Sequence, residues 1–373
     1  MRFYSIPMRN LARRPMRSSL TALGVAAAVA SFLAMMGISQ GFDYSFVKIL
    51  LERDTHILAV RKGTAEILAG ALRADLAKEL AGVEGVRSVS GELMDLVPLD
   101  SGPMALVAGW PPESRLWKSL HMETGRLPKA DAPAEISVGA GIAEELNLKP
   151  GGTLRILEKR FTVVGTFKNT STMGNNMIIL PIAAMEALMG LQDRVTAFNI
   201  QVDRPDDPDR IAATRQRLGQ AFPDLRFWET EKVSQNNDLL KMMRAMSWAV
   251  SVVAIGMGLV FVLNTLLMSV TERTHEIGVL SALGWSARRI LAMIAVEGLA
   301  LAAIGSAIGT GLGLGGLYLL SCSPQIRGFI EPRPSPHLLG EVVVVALVLG
   351  AVASIYPAWR AVRINTMDAL RHE

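Results

Sequence analysis

The sequence has a single cysteine and few charged residues. Cys322 alone excludes an intramolecular disulfide and a cysteine-based zinc cluster, and the five histidines are never spaced as metal ligands. No lysine follows a glycine, so the phosphate-binding loop of an ATPase is missing. The one G-x-S-x-G match, at residues 37–41, lies inside a long apolar run and follows no strand, so it does not fit the nucleophile turn of a hydrolase. We therefore expect no metal, no cofactor and no catalytic residue in this chain.

Charge is scarce along the whole chain. Only 19% of the 373 residues are charged and half are hydrophobic, with a mean hydropathy of +0.32. These values point away from an ordinary soluble protein and towards a membrane protein. The net charge of +4 is small and forms no basic stripe, so we expect no nucleic-acid partner.

Four apolar runs are long enough to be membrane-spanning helices. A helix rises 1.5 Å per residue, so about 20 residues cross a hydrocarbon core roughly 30 Å thick. The first run is too long for the apolar part of a typical signal peptide, and we interpret it as a span. The predicted spans are residues 18–42, 245–271, 290–320 and 338–359.

Arginine residues indicate which segments face the cytoplasm. Residues 1–17 contain five arginines and no acidic residue, interleaved with apolar residues as in an interfacial amphipathic segment. Residues 272–289 and the tail at 360–373 contain three arginines each. The positive-inside rule places these three segments in the cytoplasm. Residues 43–244 and the loop at 321–337 then lie outside.

Residues 43–244 form a large soluble domain, inserted between the first and second spans. Charges, glycines and prolines are frequent there, and about 200 residues are enough for a separate core. Because predicted strands and helices alternate, we predict an α+β domain. The predicted strands are 55–61, 86–99, 104–110, 176–180 and 197–202, with a hairpin at 153–167. The predicted helices are 65–80, 182–189 and 208–222, with a strand followed by a helix at 135–148.

Two parts of this domain are candidates for function. Residues 231–246 have a helical pattern that runs into the second span, which predicts a stiff lever between the domain and the membrane. Residues 169–176 contain Gly174 and small polar side chains, which predicts a mobile tip that contacts cargo. An ordinary connection between strands is the alternative for this loop.

The segment between the second and third spans has charged ends and an apolar middle. Apolar residues at helical spacing predict a short amphipathic helix that binds a partner protein or the membrane surface. A solvated helix end is the alternative interpretation. The candidate coupling residues are Glu272, Arg273, His275, Glu276, Ile277, Leu280, Leu283 and Gly284.

Polar and small residues inside the spans are the remaining candidates. Glu297 lies about two turns inside the third span, where an ionised carboxylate requires a partner or water. It has either a conduit or coupling role, or a structural contact that reaches towards Arg288 and Arg289. Asn264 in the second span is expected to form an interhelical hydrogen bond. Four-residue spacing predicts close helix packing at Gly305, Gly309 and Gly313.

Several stretches resemble one known family. ERTHEIGVLSALG, at residues 272–284, resembles the coupling segment of the FtsX/MacB/LolCE-type permeases, the type VII ABC transporter family. The closing YPAWRAVRINTMDALRHE is similar to the end of those proteins, with Thr366 and Asp368 where they have Pro and Glu. The opening RNLARRPMRSSLTALGVAAAV is similar too. FTVVGTF and the position of Trp228 resemble most the four-span permeases that release lipoproteins.

The resemblance implies a bacterial inner-membrane protein with one span, an extracytoplasmic domain and three further spans. It implies that residues 272–284 dock on a separate ABC ATPase subunit, present in two copies, which binds ATP and Mg. A second permease chain, identical or different, would pair with this one within membrane lipid, and a periplasmic adaptor or lipoprotein carrier is a further partner to consider.

The function that the resemblance implies is mechanotransmission. ATP-driven movement would be transmitted to the outer domain and would drive export or extraction of a lipidated or hydrophobic substrate. MacB-like chains carry a fused amino-terminal ATPase domain, which this sequence does not have. The alternative is an FtsX-like signalling module that transports nothing and activates an extracytoplasmic cell-wall hydrolase.

Overall fold

The fold contains two compact units. The helical unit contains residues 15–38, 244–319 and 334–363, and the sheet unit contains most of residues 39–243 together with 320–322. The computed structural model describes residues 15–63, 70–99, 104–233, 238–322 and 334–363.

Three predicted features lie partly or wholly outside the described residues. Of the amphipathic segment at 1–17, only the last three residues are described. Most of the predicted outer loop at 321–337 is outside, and so is the family-like end of the tail from residue 364 onwards.

Ten α-helices lie within the described residues, and four of them are long. These four are apolar and long enough to cross a membrane, as the sequence predicts. The helices are α1 (Pro15–Glu52), α2 (Leu76–Ala81), α3 (Ala140–Glu145), α4 (Thr172–Asn175), α5 (Ile182–Met189), α6 (Pro208–Ala221), α7 (Asp238–Glu272), α8 (Thr274–Ala282), α9 (Ala287–Cys322) and α10 (Pro336–Val362).

Helix α1 is longer than the predicted span. It continues ten residues past residue 42, because nothing in the stretch that follows breaks a helix. Phe46, Ile49 and Leu50 on this extension pack into the cores of the sheet unit. The first helix is therefore part of both units.

The helical unit has one apolar core. Side chains from α1, α7, α8, α9 and α10 contribute to it, including Phe32, Leu266, Ile277, Leu301 and Leu349. The uncharged runs that predicted the spans supply nearly all of these residues.

The sheet unit is built on a mixed ten-stranded sheet. The spatial order is β12-β1-β11-β3-β4-β9-β6-β8-β5, with β7 also paired to β8, while β2 and β10 form a separate pair. The strands are β1 (Ile57–Arg61), β2 (Leu72–Arg73), β3 (Val86–Pro98), β4 (Met104–Trp110), β5 (Met122–Gly125), β6 (Glu135–Gly139), β7 (Thr153–Ile156), β8 (Lys159–Phe167), β9 (Met177–Pro181), β10 (Arg194–Val195), β11 (Ala197–Val202) and β12 (Leu225–Glu229).

Strand β3 makes this one continuous sheet. Its 13 residues pair with β11 through the first half and with β4 through the second, both antiparallel. The β4–β9 and β6–β8 pairs are parallel. Helices and strands share the cores on either side, which gives the predicted mixture of α and β structure.

The prediction of one helix over residues 65–80 is wrong. Leu72 lies in β2, and only Leu76–Ala81 is helical, while residues 64–69 are outside the described part of the chain. That prediction came from leucines spaced four residues apart in the sequence. Such a spacing fits a helix, but four is also a multiple of the two-residue period of a strand. The pattern also failed to predict β5, β10 and β12.

The lever predicted at 231–246 is described only in part. A short 3₁₀ helix, Thr230–Lys232, follows β12, and residues 234–237 are outside the described part of the chain. From Asp238 to Glu272 the helix is continuous, so α7 leads from the sheet unit directly to the coupling segment.

Candidate functional site: the coupling segment and its contacts

Helix α8 is the predicted coupling helix, and it is closed at its end by a glycine. Only Arg273 separates α7 from α8. Gly284 has a φ of +85°, its N–H donates to Ser281 O at 3.0 Å, and the N–H of Trp285 donates to Leu280 O at 3.1 Å. These two bonds form a Schellman motif, in which a left-handed glycine ends the helix. The predicted site residue Gly284 therefore shapes the segment.

The apolar residues predicted along one side of this helix differ in their exposure. Ile277 is buried in the core of the helical unit and Leu280 is half-buried, whereas Leu283 is 74% exposed. His275 and Glu276 are exposed as well. Ile277 thus anchors the helix to its own chain, and the surface left for a partner is polar with a leucine at its tip.

Glu272 is paired within the chain. Its Oε2 accepts a hydrogen bond from Arg17 Nη1 at 2.8 Å, and Arg17 Nη2 donates to Thr265 O at 2.7 Å. The hydroxyl groups of Thr21 and Thr265 are 2.5 Å apart. The start of α1 is therefore bonded to the end of α7. Sequence analysis did not single out Arg17, although it is the last arginine before the first span.

Glu297 is buried in α9, and its partner is not the one predicted. Its Oε2 lies 3.5 Å from Arg273 Nη1, and its Oε1 lies 3.4 Å from Ser269 Oγ. Arg288 and Arg289, the predicted partners, are exposed. A cavity of about 10 Å³ beside these groups is close to the space that one water requires. The coupling segment is thus connected to α9 through a loose ion pair.

The glycines of α9 face α1 at close range. A methyl group on Gly309 would lie 2.6 Å from Ala26 O and 2.8 Å from Val29 Cβ, shorter than any normal contact. Gly305 and Gly313 meet α1 in the same way. Small residues at this spacing let two helix backbones approach closely in a membrane.

Asn264 lies on the exposed face of α7 and not among the helices of its own chain. The hydrogen bond predicted for it therefore requires a group outside the described residues. It continues an exposed stripe with alternating spacings of four and three residues: Met246, Val250, Val253, Met257, Val260 and Asn264.

The loop at 169–176 is tied down, in contrast to the predicted mobile tip. Ser171 Oγ accepts from Gly174 N–H at 3.0 Å and caps α4. Lys48 Nζ donates to Thr170 O at 2.9 Å, and Glu52 accepts from the N–H of Thr170 at 2.8 Å. The outer end of α1 is thus bonded to this loop.

A buried polar cluster that sequence analysis missed follows α1 directly. Glu92, fully buried in β3, accepts from Arg53 Nη1 at 3.0 Å, from Asn199 Nδ2 at 2.7 Å and from Trp110 Nε1 at 3.2 Å. The Arg53 guanidinium also lies over the Trp110 ring, 5.2 Å from its centre. All three partners of the carboxylate are therefore donors with good geometry.

Neither a metal centre nor a catalytic cluster is found in the part of the chain that the structure describes. No group of three or more His, Cys, Asp or Glu residues is placed to hold a metal ion there. The notable geometry is mechanical: α8 ends in a glycine cap, and the two residues before this helix, Glu272 and Arg273, form ion pairs with α1 and α9.

Two family models match the chain. The MacB-like periplasmic core domain matches residues 18–220, and the FtsX-like permease C-terminal domain matches residues 248–366. Together they cover most of the sheet unit, without β12, and most of the helical unit.

Individual proteins are similar over nearly the whole chain. A macrolide export ATP-binding/permease protein MacB of Bdellovibrio bacteriovorus is 25% identical over 403 residues, which is 98% of this chain and 61% of that protein. An uncharacterized ABC transporter permease, YknZ of Bacillus subtilis, is 25% identical over 388 residues, 96% of each chain. The solved extracellular domain of YknZ from Gram-positive bacteria covers 47% of this chain and all of that one, with 15% identity and a TM-score of 0.36.

Four membrane helices, with a large α/β domain after the first and a short helix between the second and third, define an ABC transporter permease. Because the periplasmic core model alone matches more than half of the residues, the chain belongs to the MacB/FtsX family of these permeases, also called type VII. The sheet unit is its periplasmic domain. The chain spans only about three fifths of the length of the MacB relative.

Proposed function

We propose that this chain is the permease subunit of an ABC transporter in the bacterial inner membrane. A separate ATPase subunit, present in two copies, binds ATP and Mg and hydrolyses ATP, and the chain itself is not an enzyme. Movement of the ATPase drives export or extraction of a lipidated or hydrophobic substrate by mechanotransmission. A periplasmic adaptor or lipoprotein carrier would receive the substrate.

The observation that carries this proposal is the geometry of α8. The helix presents His275, Glu276 and Leu283 outward, while Ile277 and the Arg273–Glu297 pair hold it against the spans. A push on α8 would act on α7, which is 35 residues long, or about 52 Å at 1.5 Å per residue. Such a helix transmits displacement to the periplasmic domain.

Reversal of the charge at Glu276 tests the docking role. Glu276→Arg in the full-length chain, expressed with its ATPase, is expected to lower co-purification and stimulated ATP hydrolysis about tenfold. The reason is that the reversed charge would then face a like charge of the partner at the interface. Glu272 is a poorer choice, since its reversal also breaks the pair with Arg17.

Glu144→Arg is the matched control, because Glu144 is exposed in the periplasmic domain. It should leave ATP hydrolysis unchanged. Equal ATPase recovery and stimulation in the wild type and Glu276→Arg would exclude α8 as the docking helix.

The substrate class is tested by capture. Export is supported by the word "export" in the name of the MacB relative, and lipidated cargo by the resemblance of FTVVGTF to the lipoprotein-releasing permeases. Purification of the full-length chain in mild detergent, followed by mass spectrometry, is expected to recover an ATPase subunit together with a lipidated protein or an amphiphile. Recovery of a cell-wall hydrolase in place of cargo would contradict transport.

The exposed stripe on α7 supports pairing with a second permease chain. Spacings of four and three residues are those of helices that pack side by side, and a single asparagine in such a seam sets the register. In lipid, the Asn264 amide is costly without a partner, and the same residue of a neighbouring α7 supplies one.

Cross-linking tests this pairing, and the single cysteine makes it simple. In a Cys322→Ser background, Met257→Cys is expected to form a disulfide-linked dimer in membranes under oxidation. Val252→Cys is the control, since Val252 is also exposed on α7 but lies off the stripe. Equal cross-linking at both positions would contradict a specific seam.

A further inference from the structure

A cavity in the periplasmic domain gathers basic side chains near the start of the second span. Its volume is about 450 Å³, and it lies against β12, the strand at one end of the sheet. Such a volume is in the range of sites for small molecules. The cavity is lined by Arg215, Arg226, Phe227, Trp228, Glu229, Lys232 and Lys241.

The lining has an excess of positive charge. It contains four basic side chains and one carboxylate, so its formal charge is +3. That carboxylate, Glu229, already accepts from Arg215 at 2.8 Å and from Lys232 at 2.6 Å. The remaining side-chain groups of the lining that can bind a ligand are donors.

The indole of Trp228 adds a second, independent observation. Trp228 is 94% buried, and its Nε1 has no hydrogen-bond acceptor in the structure as described. A buried donor without a partner is unfavourable, and an acceptor ligand would remove that cost. Trp228 is also one of the residues that line the cavity, so a residue with an unused neutral donor lies beside the basic side chains.

The position of Lys241 relates the cavity to the membrane. Lys241 lies on α7, four residues before the uncharged run that begins at Ala245, or about 6 Å along the helix axis. Met242, Met246 and Trp248, on the next turns, are exposed apolar residues suited to the boundary between lipid and water. The cavity is thus close to where α7 enters the outer leaflet.

We propose that this cavity binds the phosphate of an anionic phospholipid headgroup in the outer leaflet. Phosphate oxygens are acceptors only, and they match guanidinium, ammonium and indole donors. The lining is mostly charged, so it suits a headgroup better than an acyl chain. The site requires that the chain is in a membrane, and it does not depend on the transport proposed above.

Lipid titration of the full-length, detergent-solubilised chain tests this site. Native mass spectrometry would measure the binding of phosphatidylglycerol, with phosphatidylcholine as the zwitterionic comparison. The wild type should prefer phosphatidylglycerol. The double variant Arg226→Gln/Lys241→Gln should bind it about 30-fold more weakly, since two basic side chains are lost.

A matched control removes the same charge elsewhere. Lys149→Gln/Arg160→Gln changes two exposed basic residues of the same domain that do not line the cavity, and it should bind phosphatidylglycerol like the wild type. Equal losses in both double variants would show a general charge effect and overturn the site.

Two further measurements sharpen the assignment. Trp228→Phe removes the N–H together with part of the ring system and should weaken phosphatidylglycerol binding about fivefold. Unchanged binding would overturn the indole as a donor to the phosphate. If inorganic phosphate displaces phosphatidylglycerol efficiently, the site is one for a soluble anion and the lipid assignment is wrong.

Discussion

Two buried carboxylates, one in each unit, have very different surroundings. Glu92, in the periplasmic domain, accepts three hydrogen bonds of 2.7–3.2 Å, while Glu297, in the helical unit, has contacts of 3.4 and 3.5 Å beside a small cavity. The three donors together hold the Glu92 carboxylate in a single geometry. Long contacts leave the second free to adjust, which suits a residue joined to the coupling segment.

The largest effect is expected at Glu92. Glu92→Gln places an amide opposite three donors and leaves Arg53 buried without its counter-charge, so the free energy of unfolding should fall by about 3–5 kcal/mol. Denaturant titration of the detergent-solubilised chain measures it. The double variant Arg53→Met/Glu92→Leu should recover part of the loss, and no recovery would mean that the ion pair is not the cause.

Packing in the helical unit is tested without any change of charge. Gly309→Ala should destabilise that unit by about 1–3 kcal/mol, because the added methyl group overlaps Ala26 O. Gly311→Ala, on the open side of α9, should be neutral or stabilising, since alanine favours a helix. Thermal unfolding in detergent distinguishes them, and equal behaviour would contradict the close contact.

Glu297→Gln tests whether Glu297 stabilises the protein less than Glu92 does. Because its contacts are long and Arg273 lies near the end of α7, the loss of unfolding free energy should be about 1 kcal/mol, well below that at Glu92. ATP hydrolysis by the complex should nevertheless become less responsive to substrate. A loss as large as that of Glu92→Gln would show that the two carboxylates play the same structural role.

A half-buried carboxylate with short hydrogen bonds, Glu135, provides the smallest effect. Hydrogen bonds from Arg126 and from the Lys129 N–H lower the pKa of Glu135 from 4.5 to about 2. A lowered folded-state pKa stabilises the protein above pH 4.5, and this stabilisation is lost as the pH falls towards 2.

The pair of Glu135 and Arg126 is on the surface, so its contribution should be at most about 1 kcal/mol. The stability difference between the wild type and Glu135→Gln should shrink between about pH 4.5 and pH 2. A difference that does not change with pH would contradict the lowered pKa.

Periodic features of the sequence were predictable, and pairings between distant residues were not. The apolar runs, the glycine spacing on α9 and the helix at 274–282 each follow from a local pattern. Glu92 meets Arg53 from 39 residues away, because the sheet places β3 beside the end of α1. For Glu297, sequence analysis chose Arg288 and Arg289 as the nearest charges, whereas the partner is Arg273, which lies between α7 and α8.

The Schellman ending of α8 has a consequence for the kinetics of association. Ordering one backbone residue costs about 1–2 kcal/mol in conformational entropy, and the nine residues of α8 are already ordered by the chain itself. A partner therefore meets a preorganised surface and does not fold it on contact. Docking on such a surface is not slowed by a folding step, and the cost of ordering α8 is not subtracted from the binding free energy.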